Sequence, residues 1–189
     1  APAMNIHRNP LCGRNFEYYS EDPLITGKMV AAYVRGMQSN PGVGATVKHF
    51  CCNNQEDNRF AVNENVSEQT LREIYLRGFE IAVRESNPLA LMTSYNQLNG
   101  GYTGCRHDLI TDILQCEWGY TGLVMTDWGT NYSPEAALHA QVDMMLPGGN
   151  ADRDAILAAL QSGTVTPAEV RRAAARVLTL IEKSLTAKL

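Results

Sequence analysis

The sequence has no apolar stretch approaching the roughly 18 residues that a membrane-spanning helix needs, so no membrane partner is expected. It has no run of basic residues, and its formal net charge is −4. Neither property suits a phosphate backbone, and no nucleic-acid partner is expected. Internal repeats and low-complexity tracts are missing too. Cysteine is scarce and unpatterned: Cys12, Cys51, Cys52, Cys105 and Cys116 are odd in number and show no C-x-x-C spacing. That argues against a structural zinc site and for free thiols in a reducing, cytoplasmic compartment. No histidine stands at ligand spacing from another, so neither a metal nor another cofactor is expected. The opening, Ala1-Pro2-Ala3-Met4-Asn5, has no charged-then-apolar leader pattern and no initiator methionine, as in a processed or partial chain.

What is present is ample material for a core. Hydrophobic residues make up 44% of the 189 positions and charged residues 19%, which excludes a disordered polymer. Short apolar runs alternate with amphipathic stretches. Val43 to Phe50, Leu89 to Tyr95 and Gly122 to Asp127 read as buried strands, with Ala1 to Ile6 and Val142 to Leu146 as weaker ones. After Asp22-Pro23, a helix is expected with Ile25, Met29, Ala32, Tyr33, Gly36 and Met37 on its buried face. A second follows the capping Ser67, with Leu71, Ile74, Tyr75, Phe79 and Ala82 facing inward. Leu109, Ile110, Ile113 and Leu114 mark a shorter one. Thr166-Pro167-Ala168-Glu169 opens a last helix with a capping box, its expected stripe being Val170, Ala174, Val177, Leu178 and Ile181.

Buried strands alternating with helices mean a parallel sheet covered by helices, either a doubly wound sheet or a (β/α)8 barrel. Lys48-His49, Tyr95-Asn96 and Asp127-Trp128 close three successive strands. A barrel gathers such ends on one rim, whereas an open sheet concentrates them at one switch point. The barrel is favoured. A full barrel takes about 250 residues, and about five strand–helix units are visible, so the expected fold is α/β, TIM-barrel-like and incomplete. Residues 1–150 read as its central and later part and 151–189 as a helical exit segment. Unpaired strand edges would then require a missing segment or a partner chain.

Asp127 ends an apolar strand and precedes Trp128, so a rim carboxylate would sit beside an aromatic face able to stack on a sugar ring. An aspartate there also serves as an ordinary loop or capping residue. Lys48 and His49 are costly to bury without acceptors, and sugar hydroxyls are suitable acceptors. Arg14, Glu17, Glu21 and Asp22 form one polar cluster, and Glu56, Asp57 and Arg59 another, each equally readable as a loop-fixing ion-pair network. Met92 reads as core filler, on the opposite side of its strand from Tyr95. Retaining glycoside cleavage needs two carboxyl groups about 5–5.5 Å apart, one attacking and one donating a proton. Asp127 is a candidate for the first; no residue is nominated for the second.

NIHRNPLCGRNFEYYSEDP, GATVKHFCCNNQEDNR, LMTSYNQLNG, EWGYTGLVMTDW and VDMMLPGG, in this order, closely resemble glycoside hydrolase family 3, the β-glucosidase and β-xylosidase group. The resemblance implies that Asp127 is the nucleophile, that Trp128 walls the first sugar subsite, and that Lys48 and His49 bind sugar hydroxyls. It also implies that Arg14, Arg59, Met92 and Tyr95 belong to that subsite. KHFCCNN stands where the family's hexosaminidase branch has KHFPGHG, so the glucosidase/xylosidase branch is implied, with a β-glucoside or short β-linked oligosaccharide as substrate. A sugar-binding aspartate earlier in the barrel and an acid/base glutamate on a second α/β domain are implied to lie outside this chain. Two other functions compete: a non-catalytic carbohydrate-binding or scaffold fragment, and a phosphate-binding barrel enzyme using Pro147-Gly148-Gly149-Asn150, which lacks a nearby basic partner.

Overall fold

The computed structural model describes residues 1–185, and a parallel sheet lies at its centre. The strand order is β1 (Thr46–Phe50), β3 (Ala90–Thr93), β6 (Leu123–Trp128) and β7 (Met144–Leu146), every pairing parallel. The opening segment extends the β1 edge. Ala3 bridges Lys48, the Met4 N–H donates to the Lys48 carbonyl at 2.7 Å, and the Lys48 N–H donates to the Pro2 carbonyl at 3.1 Å. Five parallel segments thus stand side by side in chain order, as in a barrel wall and unlike a doubly wound sheet, whose order reverses. The wall is partial. Four of the five expected strands are shorter than their apolar runs: Ala1 to Ile6 contributes that single bridge, Val43 lies outside β1 and is 41% exposed, and β3 and β7 are trimmed to Ala90–Thr93 and Met144–Leu146.

A second, small sheet joins β2 (Asn63–Glu64) to β4 (Gln97–Leu98) in parallel and β4 to β5 (Gly101–Tyr102) in antiparallel fashion. Two-residue strands carry no detectable period, and the sequence did not announce them.

Asp22 caps α1 (Pro23–Gln38), accepting from the Leu24 and Ile25 N–H groups at 2.7 and 3.2 Å. Ser67 caps α2 (Glu68–Thr70), which continues through a wider π-spaced turn, Leu71–Tyr75, into α3 (Arg77–Ser86). A π-helical segment, Asp108–Glu117, buries Leu109, Ile110, Ile113 and Leu114 as expected. α4 (Pro134–His139), α5 (Asn150–Ser162) and α6 (Pro167–Leu185) complete the chain; residues 186–189 of the exit segment lie outside the described residues. The capping box of α6 forms: Thr166 N–H donates to Glu169 at 2.8 Å and Glu169 N–H to Thr166 Oγ1 at 3.3 Å.

Two helix faces differ from expectation. Ile25, Met29 and Tyr33 are 52%, 54% and 49% exposed, whereas Thr26, Gly27, Val30, Ala31 and Val34 are buried. Helix α1 packs on α3 through its small residues because they let the backbones approach; bulk misled the reading of its period. On α6, Leu178 and Ile181 are exposed, Ala173 is buried, and Val170 and Val177 are half-buried, so the stripe is rotated by about one position.

The outer core is anchored at Phe50, fully buried and edge-on to Phe79 at 5.2 Å and Trp118 at 6.0 Å, which locks β1 to α3 and to the chain just after the π-helical segment. Asp143, just before β7, holds α6. Its buried carboxylate accepts from the Val124 N–H at 3.0 Å and from Arg176 at 3.4 Å. Burial pushes the Asp143 carboxyl upward, against the pull of the Val124 N–H and of Arg176 and Arg172.

A β-carbon at Gly27 would lie 2.8 Å from Ile81 Cβ and 3.0 Å from the Gly78 carbonyl oxygen, while one at Gly36, on the same helix, would meet nothing within 4 Å. Gly27→Ala should therefore lower stability by about 1–3 kcal/mol. Gly36→Ala should raise it by about 0.5–1 kcal/mol. Chemical denaturation of the two variants checks the pair; equal shifts would contradict the close helix approach.

Candidate active site

Parallel strands deliver Lys48 and His49, Tyr95, and Asp127 and Trp128 to one edge of the sheet, because all lie at or just past the C-terminal ends of β1, β3 and β6. Strict alternation would turn adjacent residues to opposite faces. Two irregularities prevent this. The β1–β3 register shifts between Val47 and Phe50, and the β6–β7 register between Met125 and Trp128. Such a shift re-aims side chains locally, and here both fall at the candidate residues.

Asp127 is 8% exposed. Its Oδ1 accepts the Trp128 N–H at 2.7 Å. Its Oδ2 stands 3.5 Å from His49 Nε2 and has no hydrogen-bond partner among the described residues. A buried, unsatisfied carboxylate oxygen is expensive and calls for a functional explanation.

His49 is 1% exposed and held by its backbone. Asn5 Nδ2 donates to the His49 carbonyl at 2.9 Å, and the His49 N–H donates to Asn5 Oδ1 at 3.0 Å. Burial first, then the charges of Arg14, Lys48 and Arg59, push the imidazole well below its ordinary pKa. At neutral pH the ring is uncharged. Its contact with Asp127 is that of a neutral imidazole beside a carboxylate, not an ion pair.

The cations are organised by carboxylates. Glu17, in the turn Asn15–Glu17, receives Arg14 Nε at 2.5 Å and faces Lys48 Nζ at 3.4 Å. Arg59 pairs with Glu56 at 2.8 Å, and its guanidinium lies 4.8 Å from the centre of the Tyr95 ring and 5.1 Å from that of Phe60. The Tyr95 hydroxyl donates to the Trp128 carbonyl at 2.6 Å. Burial and then the Asp127 charge push its phenol upward. Trp128 itself is 59% exposed, its side chain open to solvent at the mouth. Met92 is not in the helix-facing core: it pairs in register with Met125, which pairs with Met144, while Leu91 and Val124 on the opposite face are fully buried. The reading of Met92 as core filler is corrected accordingly.

Asp127 and His49 thus meet directly, Tyr95 and Arg59 stack beside them, and Lys48 and Arg14 are joined through Glu17. Among the described residues no three His, Cys, Asp or Glu side chains converge as a metal site would require. A cavity of about 480 Å³ between β7, α5 and α6 lies elsewhere, and none of the candidate residues lines it. Sequence reasoning missed Asn5, which gave no signal, and Phe60, which supplies the second ring beside Arg59. The ion-pair reading of the two polar clusters is realised at Arg14–Glu17 and Arg59–Glu56, both at i,i+3 spacing.

A rim carboxylate set among sugar-type donors on a partial parallel barrel defines a class, and the comparisons agree with it. The chain belongs to glycosyl hydrolase family 3, the model of whose N terminal domain matches residues 1–180. It is 50% identical over 185 residues to beta-glucosidase B of Emericella nidulans, covering 97% of this chain and 22% of that one. It is 43% identical over 186 residues to an exo-alpha-(1->6)-L-arabinopyranosidase of Bifidobacterium breve, covering 98% and 24%. Beta-glucosidase 3B of Thermotoga neapolitana, solved in complex with glucose, superposes with a TM-score of 0.95 at 46% identity, over 100% of this chain and 27% of that one. The chain spans about a quarter of the length of these relatives.

The depressed imidazole pKa has a direct readout. In NMR spectra the His49 ring should titrate well below the ordinary histidine midpoint of about 6.5. A midpoint near 6.5 would mean that burial and the three cations do not govern it.

Proposed function

We propose that the intact protein is a retaining β-glycosidase acting on terminal, non-reducing β-D-glucosyl residues, and that this chain carries its nucleophile. The unpartnered Oδ2 of Asp127, 3.5 Å from His49, carries the reading. In the first step Asp127 Oδ2 bonds to the anomeric carbon, the glycosidic C–O bond breaks, and the departing oxygen takes a proton from a second carboxylic acid. Water then attacks the same carbon and frees Asp127, and the second carboxylate accepts the water's proton.

Lys48, His49, Arg14 and Arg59 donate to the sugar's hydroxyls, Tyr95 and Met92 shape the floor, and Trp128 offers a stacking face. Glu17 and Glu56 are each committed to cations, an arrangement for fixed anions rather than for a proton donor. The family resemblance implies that the donor lies on a second α/β domain or a partner chain, and that an earlier barrel segment supplies the remaining sugar contact. The relatives' names include both glucosidases and an arabinopyranosidase, so competition between the two glycosides decides the preferred sugar.

Incubation of the intact enzyme with an activated 2-deoxy-2-fluoro-β-glucoside should add one fluorosugar mass, and peptide mapping should place it on Asp127. Asp127→Asn should abolish labelling and lower turnover by several orders of magnitude. A label on another residue, or efficient turnover by the variant, would remove Asp127 from the role. Glucose binding with no turnover and no labelling would instead indicate a carbohydrate-binding fragment.

A further inference from the structure

Glu17 stands between two cations drawn from separate parts of the fold. Arg14 lies three residues before it in the loop that follows the opening strand segment, whereas Lys48 comes from the end of β1. Its two carboxylate oxygens are divided between them, Oε1 to Arg14 Nε at 2.5 Å and Oε2 to Lys48 Nζ at 3.4 Å. The three side chains are only 17%, 21% and 20% exposed for Arg14, Glu17 and Lys48. Partial burial of a cluster with two positive charges and one negative is a poor device for stability, since each desolvated ion must be repaid by its partners. Phe16, between Arg14 and Glu17, is 86% exposed, so the turn buries its charged side and leaves its apolar residue in water. That inversion of the usual preference is explained if the buried charges serve the mouth.

We propose that Glu17 is a positioning residue for the sugar subsite: it clamps the Lys48 ammonium and the Arg14 guanidinium in one arrangement, presenting their remaining N–H groups to adjacent sugar hydroxyls. It acts through these two donors and does not touch the sugar. A lysine side chain has four rotatable carbons and holds no fixed direction by itself; a shared anion removes that freedom before substrate arrives, so less is lost on binding. Burial works against the Arg14 charge, and the hydrogen bond it donates to Glu17, together with the nearby Tyr18, Glu17 and Glu56, outweighs it, leaving that guanidinium more firmly protonated than usual.

This inference rests on the glycosidase reading, and the test separates the two. In the intact enzyme, Glu17→Gln keeps an acceptor for Arg14 but turns an amide, without charge, toward Lys48. It should lower kcat/KM on an aryl β-glucoside by about 10- to 100-fold, mainly through KM, the size expected for a lost charge-assisted hydrogen bond. The decisive readout is a double-mutant cycle with Lys48→Met. If Glu17 acts through Lys48, adding Glu17→Gln to the Lys48→Met enzyme should cost much less than it does in the wild type. Fully additive losses, or an unchanged KM in the single variant, would overturn the proposal. Should Glu17→Gln fail to fold, Glu17→Asp, which keeps the charge but lacks the reach to span both cations, enters the same cycle with the same expected coupling. Labelling of Asp127 by the fluorosugar in the wild type together with an additive cycle would sink Glu17 alone; no labelling would sink the function on which it rests.

Discussion

Everything in the site depends on how two parallel strands lose their register at the same rim. A regular strand can offer the mouth only every second residue. By shifting against β3 between Val47 and Phe50, β1 brings Lys48 and His49 to one functional region although they are neighbours in sequence. A second shift, of β6 against β7 between Met125 and Trp128, falls at Asp127 and Trp128. The buried Phe50 cluster lies directly behind the first irregularity and resists its relaxation. Asn5 adds a reciprocal pair of hydrogen bonds to the His49 backbone, so the ring is placed by its main chain rather than by contacts of its own.

On that rigid frame the charges balance closely. Arg14, Lys48 and Arg59 oppose Glu17, Glu56 and Asp127, and the only histidine among them is kept neutral first by burial and then by the cations around it. Two of the three carboxylates are held by cations. The third, Asp127, has one oxygen occupied by a backbone N–H and the other left without a partner. A neutral imidazole beside Asp127 adds no positive charge to the site.

Much of this was legible before the coordinates. The alternation of apolar runs and amphipathic stretches identified the barrel class, and the placing of Lys48-His49, Tyr95 and Asp127-Trp128 at strand ends identified the rim. Caps were readable at Ser67 and Thr166 because a cap is a local chemical event. What failed was burial on α1 and α6, where the faces in contact consist of Gly27, Val30 and Ala31, or of Ala173. A hydrophobic period weights bulky side chains, whereas close helix packing selects small ones, so the two signals point to different faces. Asn5 was invisible for another reason: its partner is a backbone 44 residues away, and no spacing rule encodes that distance.

Among the described residues the site has a buried floor and an exposed side. His49 and Asp127 are almost fully buried and fixed by main-chain contacts, whereas Trp128 and Phe16 are 59% and 86% exposed on its solvent side. On the glycosidase reading this separates two demands on the same pocket. Charge that develops at the anomeric carbon must meet preorganised groups, which only buried and strand-fixed residues supply. The departing group varies in shape and is better met by aromatic surfaces that tolerate different partners. On the same reading the exposed Trp128 is a stacking face for the sugar at the edge of the strand-fixed floor.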